Sequence, residues 1–127
     1  MRIDHIALYV KDLEGTKDFF TKYFGGISGE MYHNPKTGLK TYFISFEDGT
    51  RLEIMTRKEV MQQAFSPYRS GLTHLAFSLG SKAAVDALTS RLASDGYEIL
   101  SGPRTTGDGY YESCIKAPEN NIIELTE

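Results

Sequence analysis

The stretches "IDHIALYV" at residues 3–10 and "LTHLAFSL" at residues 72–79 have the same pattern. Each places one histidine, His5 or His74, within a run of alternating and mostly apolar residues, which predicts a β-strand. Because the strand returns with its histidine at the same place, the pattern indicates an internal duplication.

The elements that follow the first histidine support this duplication. Asp12 stands where a helix N-cap belongs, and "GG" at 25–26 ends the predicted helix. Three further strands are then predicted, at residues 27–33, 39–46 and 51–56. The predicted order of this half is therefore strand, helix and three strands.

The second half repeats that order. Ser81 is the predicted N-cap of a helix that "DG" at 95–96 ends. Strands are predicted at residues 97–101, 110–117 and 122–127, with a loop at 102–109. We therefore expect an α+β fold with two βαβββ modules, whose curled, mixed β-sheets form a cleft with the helices on the outer face.

The chain of 127 residues has room for one compact domain. We predict a single domain, 1–127, made of module 1–56 and module 72–127. A linker at 57–71, which contains Ser66, Pro67, Ser70 and Gly71, joins them.

Composition excludes several classes of protein. The net charge of −3 and the lack of a basic stripe argue against a nucleic-acid partner. The charged start "MRIDHIALYVKD" does not resemble a signal peptide, and no apolar run is long enough for a membrane span. Cys114, the single cysteine, is expected to be a small buried hydrophobe. We expect a cytoplasmic protein.

Two glutamates repeat together with the two histidines. "RLEIMT" aligns with "IIELTE", so that Glu53 matches Glu124. Large apolar residues flank each glutamate, and side chains alternate along a strand, so each carboxylate should point away from the helix-packed face. The histidines should share that face, with small neighbours at Ala7 and Ala76.

Imidazole nitrogens and carboxylate oxygens suit a divalent transition metal. A bound cation would also offset the cost of burying two carboxylates close together. The alternative is that the histidines are ordinary packed residues and the glutamates ordinary surface residues, kept from the duplication without a metal.

The whole chain resembles the vicinal oxygen chelate superfamily, and within it the glyoxalase I-like proteins. The resemblance rests on "DHIALYVKDLEGTKDFF", "RLEIM", "GLTHLAFSL" and "GDGYYESCIKAPENNIIEL". It implies paired βαβββ modules around a metal, in a homodimer. It also implies one divalent ion per site (Ni, Zn, Co, Mn or Fe), held by His5, Glu53, His74 and Glu124.

The resemblance further implies an isomerase-like reaction of the lactoylglutathione lyase type, on a small α-oxo or hemithioacetal substrate. A proton is removed beside the carbonyl, and the metal stabilises the resulting enediolate. Glu124 is the first candidate for the base and Glu53 the second. Extradiol dioxygenases and fosfomycin-modifying thiol transferases of the superfamily typically use two histidines and one glutamate, so the extra carboxylate favours the isomerase.

Some positions depart from glutathione-dependent members of the family. Tyr9 replaces the arginine expected four residues after the first ligand, and Arg57 lies near the place of an expected asparagine. Glutathione is therefore not favoured as the thiol. Arg51 and Arg104 could bind an acidic substrate and Tyr111 could line a pocket, although surface and packing roles are the simpler explanation for each.

Two other functions remain open at this point. One is a different enzyme of the superfamily, either a thiol transferase or a dioxygenase. The other is a metal-free binding protein like the bleomycin-resistance proteins, which typically lack the ligand set. The sequence does not decide the substrate, or whether the site forms within one chain or across a swapped dimer.

Overall fold

The computed structural model describes residues 1–62, 64–66, 68 and 70–127. It divides the chain into two compact units, Met1–Gln63 and Ala64–Glu127. The boundary between them falls inside the predicted linker 57–71, of which Pro67 lies outside the described residues. The assignment of both units to one domain stays a prediction.

The first unit has one helix and a mixed sheet of five strands in its described part. Its elements are β1 (Ile6–Tyr9), α1 (Leu13–Phe24), β2 (Ile27–Ser28), β3 (Tyr32–Asn34), β4 (Leu39–Ser45) and β5 (Arg51–Thr56). The strand order is β1-β5-β4-β2, and β3 also pairs with β4. β1 runs parallel to β5, whereas the other pairs are antiparallel.

The second unit repeats this arrangement with four strands in its described part. Its elements are β6 (Leu75–Ser78), α2 (Lys82–Ser94), β7 (Ile99–Thr105), β8 (Tyr111–Lys116) and β9 (Ile122–Thr126). The strand order is β6-β9-β8-β7, and again only the first strand pairs in parallel. The predicted α+β class is confirmed. The single strand predicted at 27–33 is wrong, because residues 29–31 interrupt it and leave β2 and β3, so the first unit has four strands after its helix and the second has the predicted three.

Both helices begin at the predicted caps. The Asp12 carboxylate accepts a hydrogen bond from the backbone N–H of Gly15 at 2.9 Å, and Gly25 ends α1 with a φ of 63°. The Ser81 hydroxyl accepts one from the N–H of Ala84 at 3.2 Å. Each side chain thus satisfies a backbone donor that the helix leaves without a partner.

Each helix packs against one face of its own sheet. α1 contacts β4 and β5, and α2 contacts β7, β8 and β9. Apolar side chains with little or no exposure form the two cores: Val10, Leu13, Phe19, Phe20, Ile44, Leu52 and Ile54 in the first unit, and Val85, Leu92, Ile115, Ile123 and Leu125 in the second. Glu53 and Glu124 lie on the opposite face of their sheets.

The histidines precede their strands, so their predicted place within a buried strand is wrong. β1 starts at Ile6, opposite Leu52, and β6 starts at Leu75, opposite Ile123. Each partner strand starts only one residue before the first paired position. Since β1 and β6 are edge strands, each can pair only with this one neighbour, and the ladder ends close to where that neighbour begins.

The loop predicted at 102–109 is also corrected, because β7 continues to Thr105. Gly102 has a φ of +79°, and the register of β7 against β8 shifts on both sides of Ser101. β7 is an edge strand, so Pro103 at this bulge costs no hydrogen bond of the ladder. The strand can therefore continue through the Gly-Pro pair. Arg104 therefore lies on a strand, opposite Glu112.

Candidate functional site

Each unit contains one histidine–glutamate pair with the same geometry. His5 Nε2 lies 3.5 Å from Glu53 Oε2, and His74 Nε2 lies 3.5 Å from Glu124 Oε2. The glutamate side chains are 17% and 18% exposed, and the histidine side chains 36% and 40%. Both pairs thus combine a largely buried carboxylate with a more accessible imidazole.

Strand alternation places both glutamates on the face away from the helices. Leu52 and Ile54, on either side of Glu53, are 3% and 0% exposed, and the residues on either side of Glu124 are fully buried. Across the parallel ladder, Glu53 faces Ala7 and Glu124 faces Ala76. These small neighbours leave room beside each carboxylate, as the alternating pattern predicts.

The first pair has neutral neighbours on β4. The Thr41 hydroxyl donates a hydrogen bond to Glu53 Oε1 at 3.0 Å, so one carboxylate oxygen is held while the other faces His5. The His5 ring meets the Phe43 ring in an edge-on contact, with 5.2 Å between centroids. Thr41 therefore fixes the glutamate of this pair, and Phe43 supports the histidine.

A charged pair contacts the other nitrogen of His5. Nδ1 lies 2.9 Å from the Asp4 carboxylate, which also contacts the Arg51 guanidinium. The hydrogen bond with His5 and the charge of Arg51 lower the pKa of Asp4 below its usual value. Arg51 also lies over the Phe43 ring, 5.0 Å from its centroid.

The second pair has acidic and thiol neighbours on β8. Ligand-capable atoms of Glu112, Cys114 and Glu124 all lie within 4.8 Å of one another. The Glu112 side chain is only 14% exposed, and its carboxylate lies 3.5 Å from the Arg104 guanidinium. Burial and the neighbouring Glu124 raise the pKa of Glu112.

Sequence reasoning missed Glu112, although a signal was present. Cys114 pairs with Glu124 in the β8–β9 register, and Glu112 lies two residues earlier on the same face. Cys114 is half-buried, and burial raises the pKa of its thiol. It is thus a partly accessible neighbour of Glu124, and the expectation of a small buried hydrophobe holds only in part.

The structure separates the three substrate-binding candidates. Arg51 contacts Asp4 beside the first pair, and Arg104 contacts Glu112 beside the second. The Tyr111 hydroxyl instead donates a hydrogen bond at 2.7 Å to Asp86 of α2, and Lys82 lies over its ring. Tyr111 therefore stands on the helix side of its sheet, away from Glu124.

The donor atoms fit a divalent metal ion. Ligand atoms about 2.1 Å from an ion, at tetrahedral or octahedral angles, are separated from one another by about 3.0–3.4 Å. The 3.5 Å between Nε2 and Oε2 in each pair is close to this spacing. The nitrogen and the oxygen within each pair therefore lie at a spacing that suits two ligands of one ion.

Within the residues that the structure describes, neither helix is long and apolar enough to cross a lipid bilayer.

Comparison with known proteins identifies relatives along the full length of the chain. The uncharacterized protein YqjT of Bacillus subtilis (strain 168) is 32% identical over 125 residues, which cover 95% of this chain and 94% of YqjT. A possible glyoxalase from Bacillus cereus superposes with a TM-score of 0.73 at 26% identity, covering 100% of this chain and 99% of its own.

A third relative was solved with bound ligands. This structure, of a mutant of the fosfomycin resistance protein FosX from Listeria monocytogenes in complex with Mn(II) and 1S,2S-dihydroxypropylphosphonic acid, superposes with a TM-score of 0.78 at 25% identity. The match covers 98% of this chain and 90% of the FosX chain. The model of one family matches residues 2–125. The chain therefore belongs to the Glyoxalase/Bleomycin resistance protein/Dioxygenase superfamily.

Proposed function

We propose that the chain is a metal-dependent enzyme of the glyoxalase I-like kind, which isomerises a small α-oxo or hemithioacetal substrate by moving a proton between adjacent carbons. The observation that supports this proposal best is the repetition of one histidine–glutamate pair, at the same 3.5 Å separation, in both units. Both units thus present the same two donor types, an imidazole nitrogen and a carboxylate oxygen, at the same distance.

In this proposal His5, Glu53, His74 and Glu124 together hold one divalent ion, within one chain or across two copies. When bound, the ion supplies Lewis-acid stabilisation of the charge that develops on the substrate oxygens. It would also offset the repulsion between the two largely buried carboxylates. Metal analysis of the purified protein would identify the ion among Ni, Zn, Co, Mn and Fe.

Glu124 is the proposed base that removes the proton and returns it to the neighbouring carbon, with Glu53 as the second candidate. The Thr41 hydroxyl holds Glu53, whereas no hydroxyl donates to Glu124 among the described residues. The carboxylate of Glu112 lies within 4.8 Å of Glu124, so Glu124 has an acidic neighbour where Glu53 has a hydroxyl. The better-held carboxylate suits a permanent ligand, and the other suits proton transfer.

The FosX relative supports a second candidate function, an enzyme that modifies an antibiotic such as fosfomycin. In that case Arg104, on the rim of the second pair, would bind the acidic group of the substrate in exchange for Glu112. Ring-opening dioxygenation and metal-free drug binding are further alternatives within the superfamily.

Metal binding is tested first, on purified metal-free protein titrated with Ni²⁺, Zn²⁺, Co²⁺ and Mn²⁺. We expect about one ion per site, with binding weakened in His74→Ala and Glu124→Ala. The matched controls are His33→Ala and Glu98→Ala, since His33 and Glu98 are exposed and lie outside both pairs. A wild-type protein that retains none of the four ions would leave only the metal-free binder.

Activity is tested next, by thioester formation from methylglyoxal and a set of small thiols with the metal-loaded protein. Product with at least one thiol, abolished in His74→Ala and kept in His33→Ala, is the expected result. Failure with every thiol would refute the isomerase. Fosfomycin turnover under the same conditions would then establish the second candidate.

Homodimerisation and a cytoplasmic location complete the proposal. Sedimentation velocity of the metal-loaded protein should give a particle of twice the chain mass of 14.2 kDa. A monomer that binds metal fully would refute a site shared between subunits.

A further inference from the structure

We propose that Asp4 and Arg51 act as positioning residues for His5, and that they select the imidazole nitrogen facing Glu53 as the metal-binding atom. This inference rests on the proposed function, because it concerns the same metal site. It assigns a role to two residues outside the ligand set and confines that role to the first unit.

The first step concerns the proton on the His5 ring. A carboxylate can only accept a hydrogen bond, so the 2.9 Å contact between Asp4 and Nδ1 requires that Nδ1 carry the hydrogen. The lone pair of the neutral ring then lies on Nε2, which is the atom 3.5 Å from Glu53. The Asp4 contact thus selects the tautomer that a metal needs at Nε2.

The second step concerns what holds Asp4 in place. The Arg51 guanidinium contacts the same Asp4 oxygen that faces His5, and it lies over Phe43, whose ring supports the edge of His5. Arg51 therefore holds both the carboxylate that orients the imidazole and the ring beneath it. Asp4 and Arg51 are 53% and 38% exposed, so their ion pair adds little to folding.

The third step is the contrast with the second unit. When the two pairs are aligned, Thr73 stands in the place of Asp4 and Ile122 in the place of Arg51. Among the described residues, no hydrogen-bond partner is found for Nδ1 of His74, and its Nε2 lies 3.5 Å from Glu124. His74 therefore serves as the comparison for His5 within the same chain, because it has no orienting carboxylate.

The test compares wild type with Asp4→Ala, Asp4→Asn and Arg51→Met, and uses Thr73→Ala as the matched control beside His74. ¹⁵N spectra of the metal-free protein at about pH 8, where imidazoles are neutral, report the two tautomers. We expect His5 to be predominantly protonated at Nδ1 in wild type and mixed in Asp4→Ala, with His74 unchanged throughout.

Co²⁺ affinity, measured by competition with a chromophoric chelator, is the second readout. Loss of an orienting partner typically weakens metal binding about 10- to 100-fold, which we expect for Asp4→Ala. Asp4→Asn retains an acceptor and should lose less, Arg51→Met should lose a few-fold, and Thr73→Ala should match wild type.

The outcomes separate this inference from the function on which it rests. If wild type binds none of Ni²⁺, Zn²⁺, Co²⁺ and Mn²⁺, the proposed function is overturned and the positioning role with it. If wild type binds Co²⁺ and Asp4→Ala binds it equally well, or the His5 tautomer does not change, the positioning role alone is overturned.

Discussion

The histidine–glutamate pairs of the two units have the same separation and different neighbours. In the first unit Thr41 donates a hydrogen bond to Glu53. In the second, Glu112 occupies the corresponding place two residues before the register partner of Glu124. A neutral donor stabilises a charged carboxylate, whereas a second carboxylate destabilises it.

The difference extends to the histidines. Asp4 accepts a hydrogen bond from His5, while Thr73 precedes His74 and leaves its Nδ1 without such a partner among the described residues. The two halves have thus kept the donor atoms and changed what surrounds them. We infer that the first half holds its ligands rigidly and that the second half provides the reactive carboxylate.

The largest expected effect comes from replacing the two glutamates one at a time. Glu124→Gln should lower turnover of the metal-loaded protein about 10²- to 10⁴-fold, since general-base catalysis contributes that much. It should reduce metal retention far less. Glu53→Gln, its matched partner, should lose a smaller factor in turnover and more in metal affinity.

Thioester formation and metal titration on the same preparations decide between the two carboxylates. Full activity in Glu124→Gln would show that the base is assigned to the wrong residue. A larger turnover loss in Glu53→Gln would reverse the roles of the two units.

Replacing the N-cap residues of the two helices should have an effect of intermediate size. Asp12→Ala should lower the free energy of unfolding of the metal-free protein by about 1–2 kcal/mol, and Ser81→Ala by about 0.5–1 kcal/mol. Asp12 makes the shorter bond, and its charge also interacts favourably with the N-terminus of α1. Urea unfolding with Glu98→Ala as control measures both, and equal losses would contradict the ranking.

The smallest expected effect concerns Glu112 in the metal-free protein. Because the folded protein raises the pKa of Glu112, stability is greatest below the pKa of the unfolded chain, about 4.3, and falls as pH rises through the folded value. Glu112→Gln removes this loss, so its Tm should exceed that of wild type by about 2–4 °C at pH 7 and match it at pH 4.

Thermal unfolding at a series of pH values tests this prediction. A Tm difference that stays constant between acidic and neutral pH would indicate an effect of packing. The charge of Glu112 would then be irrelevant to folding.

The sequence predicted the two helices with their caps and the faces of Glu53 and Glu124, because the duplicated halves show each pattern twice and alternation along a strand is a local property. It did not predict Glu112 beside Glu124, which depends on the register between β8 and β9. Nor did it predict the contact between Asp4 and Arg51, which only pairing of β1 with β5 brings about.

Arg104 illustrates a different limit. "GPRTTGDG" at 102–109 contains glycine and proline and therefore predicts a loop, but an edge strand tolerates both at a bulge. Local propensity alone cannot identify an edge strand, since that status depends on which strands pair.

The strand order also divides the proposed ligands into two mechanical classes. Glu53 and Glu124 are on β5 and β9, which have a bonded neighbour on both sides, whereas His5 and His74 stand just before β1 and β6, which have one. Backbone bonded along both edges resists displacement, while the first residues of an outermost strand fray readily. The carboxylates would thus set the frame of the centre, and His74, which lacks the orienting carboxylate of His5, would adjust most readily to ions of different radius.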